Sequence, residues 1–292
     1  MAWTQHPKVA ALRRRNRIVD VVVETLDGFR GHLTGRNSAV LTYYGFLTLF
    51  PLFLAATTIL GLLLESRPEW EEELVGSAVE SVPFIGDQIA GGQIGTSLLA
   101  LVIGLSAALW GSMKAFLGLQ LAYDDTWEVP LDDRAGFVTQ RVRALIGLAV
   151  IGVSQVGTVV LASIVGEAGL PLVGRALLIL GGLAINVGVA AAMYRFLTSS
   201  VTSWSTVWPG AIFTGTVYTI IQMLGTRITT ELAEDEKYGE LGSVLALLTW
   251  LSLHAVVNLF GAELNAAVHR LTERRADPPP SPMLAEPPLA GS

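Results

Sequence analysis

NSAVLTYYGFLTLFPLFLAATTILGLLL (residues 37–64) is a run of 28 residues without an Asp, Glu, Lys or Arg. The hydrocarbon core of a bilayer is roughly 30 Å thick, and a helix rising about 1.5 Å per residue crosses it in about 20 mostly apolar residues. This run is long enough to cross, with residues to spare for tilt. Working outward, five more uncharged runs follow: residues 88–113 (26 residues), 144–166 (23), 176–194 (19), 196–226 (31) and 241–262 (22). Soluble cores seldom supply six. Inside a bilayer the backbone must bond to itself, so the runs predict helices. A β-barrel would show alternating segments of about ten residues, and the sequence has none.

Of 292 residues, 51% are hydrophobic and 15% are charged, against about 25% charged in a soluble domain. That excludes an ordinary soluble enzyme. There is no cysteine, which excludes disulfides, thiolate nucleophiles and Cys-ligated metals. A net charge of −6 argues against a nucleic-acid partner. The first 36 residues carry Lys8, Arg13, Arg14, Arg15, Arg17, Arg30 and Arg36 and lack the apolar stretch of a cleavable signal. Leu12, Val19, Val22, Leu26, Phe29 and Leu33 recur at helical spacing. They predict one amphipathic helix, lying on anionic headgroups or packed on cytoplasmic loops. After Leu271, Pro278, Pro279, Pro280, Pro287 and Pro288 predict a disordered tail. The expected organisation is an N-terminal segment over residues 1–36, a transmembrane domain over 37–270 and a tail over 271–292. The six helices are expected near residues 38–64, 92–118, 142–166, 174–197, 206–231 and 241–268.

Charge sets an orientation. With the N-terminus in the cytoplasm, the inside segments hold fourteen Lys/Arg and the outside segments four. The positive-inside rule favours that arrangement, with both termini cytoplasmic. Thirteen acids fall outside, giving an outer face of −9 over an inner face of +3. Lys114 and Glu263 remain near the membrane.

The first and last runs carry a resemblance. Tyr43, Tyr44, Phe50 and Pro51 in the first helix look like the aromatic-then-Phe-Pro signature of the YihY/BrkB family. Tyr238-Gly239-Glu240-Leu241-Gly242-Ser243, then Trp250, then Gly261-Ala262-Glu263-Leu264-Asn265, resemble its last helix. Trp110-Gly111 with Lys114 and Gly118 is similar to the end of its second helix. The resemblance covers roughly residues 10 to 272. It implies a bacterial inner-membrane protein tied to envelope integrity, with a role in export of lipids or other envelope components. Some members carried a ribonuclease BN label. The four histidines, His6, His32, His254 and His269, form no HxH, HExxH or His/Asp cluster that would support it.

Ionisable groups in membrane helices are costly and so are functional candidates. Lys114 and Glu263 are expected at the cytoplasmic ends of their helices, at one depth, where they can pair. They read either as a charge site for a headgroup or proton, or as a structural ion pair or a snorkelling lysine. Gln155, Asn186, Gln222 and Asn258 are polar groups within spans, and Asn265 follows Asn258 by about two turns on one face. They read as interhelical packing bonds or, if they converge, as a polar cavity. Pro51 predicts a kink or break. Stripes of small residues (Ser154, Thr158, Ala162 and Gly166; Ala184, Gly188 and Ala192; Ala211, Gly215 and Thr219) predict close packing faces. Residues 65–93 predict an outer surface helix. The acids between residues 122 and 140 predict a solvated cytoplasmic loop, since their spacing is not that of an EF-hand.

The reading is an all-α polytopic membrane protein, a bundle of six transmembrane helices. Its expected work is transport or flippase-like export of a lipid or amphipathic envelope component. A non-transporting scaffold is the alternative, and an intramembrane enzyme ranks last. No catalytic residue, metal or cofactor is assigned. The lipid bilayer, such a substrate and self-association are the partners this reading admits.

Overall fold

The computed structural model describes residues 7–65, 98–167, 171–200, 203–234 and 239–276. Among them the architecture is helical, with no strand. Two short helices, α1 (Pro7–Arg15) and α2 (Arg17–Gly31), lead into six long ones. These are α3 (Thr34–Glu65), α4 (Leu98–Thr126), α5 (Phe137–Glu167), α6 (Pro171–Phe196), α7 (Trp204–Glu234) and α8 (Gly239–Ala276). Five of the six, α4 to α8, contain stretches long and apolar enough to cross a membrane. Most residues of those stretches are not enclosed by protein; the buried share is 11% in the α5 stretch. Leu99, Ile103 and Leu105 on α4 and Leu172, Leu177 and Leu180 on α6 all point outward. A soluble protein would not expose so wide an apolar surface; lipid covers it at no such cost.

The long helices form a closed up-and-down ring. Thr48 meets Gly111 and Leu41 meets Gly118, which sets α3 antiparallel to α4. Phe116 against Gly147 does the same for α4 and α5, and Leu161 against Gly181 for α5 and α6. Asn186 bonds Thr219 between α6 and α7. Gly210 lies against Gly261 between α7 and α8, and Leu251 against Gly45 returns the ring to α3. The interior is small-sided: Ala190, Ala191, Ala211, Ala262, Ala266 and Ala267 are buried, which lets backbones approach closely.

Several expectations are corrected. The N-terminal segment is two helices, broken where the Asn16 side chain accepts from the Ile18 N–H and caps α2. Val23, Thr25 and Gly28 of α2 are buried, Gly28 against Glu263 and Arg270 of α8. The second long helix ends at Thr126, eight residues beyond the expected 118. Its last turns are polar and largely bonded, with Gln120 Oε1 buried and without a partner among the described residues. Gln120 donates to the Gln140 carbonyl at 2.9 Å, and buried Asp124 accepts from the Ser199 N–H at 2.6 Å and the Ser199 hydroxyl at 2.9 Å. Asp124 is thus an anchor for the turn after α6, not a solvated charge; nearby Asp125 pairs with Arg134 at 2.8 Å. The last helix runs to Ala276, past the expected tail boundary, because Arg270 and Arg274 are held by Glu24. Of the kink or break expected at Pro51, the break does not occur, since α3 runs on through it. The stripe of Ala184 and Gly188 faces outward, and a Cβ on Gly188 would meet nothing. The expected outer helix over residues 65–93, Tyr238, and residues 277–292 lie outside the described residues.

Candidate functional site

Among the described residues the most enclosed ionisable group is Glu263 on α8, with 0% exposure. Three separate elements face it. His32 Nδ1 approaches its Oε1 at 2.9 Å and its Oε2 at 3.2 Å. The Thr34 hydroxyl donates to Oε1 at 2.8 Å. The Thr126 hydroxyl lies 3.2 Å from Oε1 and 2.9 Å from the Ala122 carbonyl, and its one proton serves both. Gly28 of α2 closes the fourth side: any side chain there would overlap the carboxylate.

The local backbone explains this arrangement. Among the described residues, two non-glycine residues have a left-handed backbone, Leu33 and Glu128, each with φ of 53°. Both flank the cluster. Leu33 makes the turn between α2 and α3, so that His32 and Thr34 reach one carboxylate. A left-handed conformation costs an L-residue about 1–2 kcal/mol and persists where the surroundings impose it. Glu128 ends α4, where Val129 N–H bonds the Asp124 carbonyl at 2.9 Å and Glu128 N–H the Asp125 carbonyl at 3.1 Å, a Schellman closure. That turn brings Glu128 to 3.5 Å from Arg270 and 3.6 Å from His32.

The arginines bypass Glu263. Arg13 bonds Asp20 and Glu24, each at 2.7 Å. Arg270 and Arg274 reach the same Glu24 at 3.5 and 3.2 Å. Three arginines therefore face four carboxylates (Asp20, Glu24, Glu128 and Glu263), and a protonated His32 brings the balance to zero. In keeping with this, the bond to Glu263 pushes the His32 imidazole above its ordinary value, with burial opposing. The site thus places a fully buried carboxylate against one titratable imidazole and two hydroxyls.

A second polar group lies deeper. Tyr123 donates to Asn258 Oδ1 at 2.6 Å. Tyr194 lies 2.7 Å from both the Thr214 hydroxyl and the Asn258 carbonyl, and Tyr218 donates to the His254 carbonyl at 2.8 Å. Asn265 Oδ1 accepts from the Gly210 N–H at 2.6 Å, and its buried Nδ2 has no partner among the described residues.

The sequence candidates divide accordingly. Glu263 and Asn258 lie at the centre, and Asn265 adjoins them but bonds α7. Asn186 and Gln222 bond each other at 3.0 Å, away from the cluster. The side chains of Gln155 and Phe50 lie outside the described residues. Tyr43 and Tyr44 meet edge-on at 5.4 Å, with Tyr43 exposed, and Trp250 packs on His254 at 4.6 Å. Lys114 does not pair with Glu263. It lies twelve residues from Thr126, about 18 Å along α4, because the helix continues past the uncharged run. His32 and Gly28 were not singled out by sequence: a histidine inside a basic segment carries no periodic signal. The one available hint was Pro209-Gly210 inside an apolar run, which marks the close α7–α8 crossing.

Taken together, the long outward-apolar helices and their buried polar contacts define a multi-pass helical membrane protein. Residues 25–284 match the family described as Virulence factor BrkB, and the chain belongs to that family. It is also similar to ribonuclease-like protein YfkH of Bacillus subtilis (strain 168), at 24% identity over 255 residues, covering 80% of this chain and 90% of that protein. No solved structure matches the chain.

Proposed function

We propose that this protein is a six-span transporter of the bacterial inner membrane that exports or flips a lipid or amphipathic envelope component. In this reading the structure is closed at its cytoplasmic end by the Glu263 cluster. The observation that carries it is the fully enclosed carboxylate held by His32, Thr34 and Thr126 rather than by an arginine. An intramembrane ionisable residue of this kind is a functional group by default. α3, with its 28-residue uncharged run, is the sixth span. The contact of α2 with the C-terminal half of α8 supports an even number of crossings, and the charge distribution supports cytoplasmic termini. In this reading no catalytic residue is assigned, although the relative carries a ribonuclease-like name. His32 is engaged by Glu263, His254 by the Trp250 carbonyl and His269 by Glu273.

A scaffold is the second reading. It is favoured by the mutual bonding of Asn186, Thr219 and Gln222.

Two experiments test the proposal. Purified protein in liposomes should move a fluorescent phospholipid between leaflets well above the protein-free rate, and a rate equal to protein-free liposomes points to the scaffold. Because the chain has no cysteine, one placed at Glu72 reports topology. Labelling from the periplasmic side is expected, and labelling from the cytoplasmic side alone would reverse the orientation.

A further inference from the structure

Lys114 has no role in the cluster, yet it lies midway along the membrane-crossing stretch of α4. It is exposed on an outward stripe of α4 with Ile103, Trp110 and Leu121. Its ammonium lies 5.7 Å from the centre of the Trp110 ring, which is itself 62% exposed. It forms no ion pair among the described residues. The α3–α4 register fixed by Gly111 on Thr48 and Gly118 on Leu41 puts Lys114 level with Tyr44 and Gly45. Charge resumes on α4 at Asp124, ten residues on, about 15 Å away. An extended lysine covers less than half of that, so the ammonium does not reach the level of the next charge on the helix.

A cation at this depth needs an anion brought to it. A second copy of this chain does not offer one, since the uncharged runs hold no Asp or Glu and Glu263 is enclosed. We infer that Lys114, with Trp110 beside it, binds the phosphate of a membrane lipid whose headgroup enters the outer groove between α3 and α4, below the plane of the bulk headgroups. Exposed Val40 and Leu47 of α3 line the groove for the acyl chains. The inference rests on membrane embedding and holds for a transporter and a scaffold alike.

The test uses the cysteine-free full chain in phosphatidylcholine nanodiscs containing a lipid with a nitroxide on its headgroup. A fluorophore is attached at Leu47→Cys beside the groove. The control is Leu224→Cys, on the exposed face of α7. Quenching at least twofold stronger at Leu47 than at Leu224 is expected. Lys114→Gln should bring Leu47 down to the control value, and Lys114→Arg should leave it quenched. Equal quenching at the two sites in the protein with native Lys114, or quenching at Leu47 unchanged by Lys114→Gln, overturns the inference. The first comparison needs no Lys114 substitution and stands even if that variant does not fold.

Discussion

Gly210→Ala should yield little folded protein. A Cβ at Gly210 would overlap the Gly261 carbonyl oxygen and would sit 2.7 Å from the Asn265 side chain. The first obstacle is backbone, so relief requires α7 and α8 to separate. That separation strains the Gly210–Asn265 bond and the Tyr194 contacts to Thr214 and Asn258. Overpacking typically costs about 1–3 kcal/mol, and a clash with a rigid carbonyl belongs at or above the upper end. Gly182→Ala is the control, since a Cβ there meets nothing. It should be neutral or stabilising by up to about 1 kcal/mol. Thermal melts with monodispersity by gel filtration compare the two. Normal recovery of Gly210→Ala would contradict the close crossing.

Glu263→Ala should destabilise by on the order of 3–5 kcal/mol, because His32 and Thr34 lose their acceptor in a dry site and a cavity remains. Glu263→Gln keeps an acceptor oxygen and should fold, at a loss of about 1 kcal/mol. The pair of variants separates the shape of the site from its charge. A pH series adds a third reading. The docked His32 holds its proton more tightly than the free side chain, whose ordinary value is about 6.5. Its contribution is therefore fully present below about pH 6.5 and fades as pH rises through the raised value. The neutral imidazole still donates to Glu263, so only the charged part is lost. Glu24, Glu128 and Arg270 face the same region and set the background. The melting temperature of the native protein should fall across that window more steeply than that of His32→Gln; equal slopes would remove His32 as the responsive group.

The helices were legible in the sequence because lipid imposes a simple demand: length without charge. Glu263 was legible for the same reason, as an acid set against an apolar run. The helix ends were not. The second helix was closed near residue 118, soon after its uncharged run stops at Met113, but the chain continues helical to Thr126. Gln120, Asp124 and Thr126 find partners in the packed bundle, and hydropathy carries no information about partners. That error also placed Lys114 at the wrong depth and suggested a pair with Glu263. His32 was missed because its role depends on the left-handed turn at Leu33, and leucine gives no sign of such a turn. The stripes of small residues point to close helix contacts, and Gly215 does meet the Val187 backbone, but the tightest crossing among the described residues uses Gly210 and Gly261.

The central claim is that the Glu263 carboxylate works in transport and is not only a structural bond. It is tested most directly by leaflet-to-leaflet movement of a fluorescent phospholipid in liposomes, comparing native protein with Glu263→Gln at equal reconstitution. The account predicts movement by the native protein and a rate for Glu263→Gln near that of protein-free liposomes, with its melting temperature little changed. A folded Glu263→Gln that moves lipid at the native rate would contradict it.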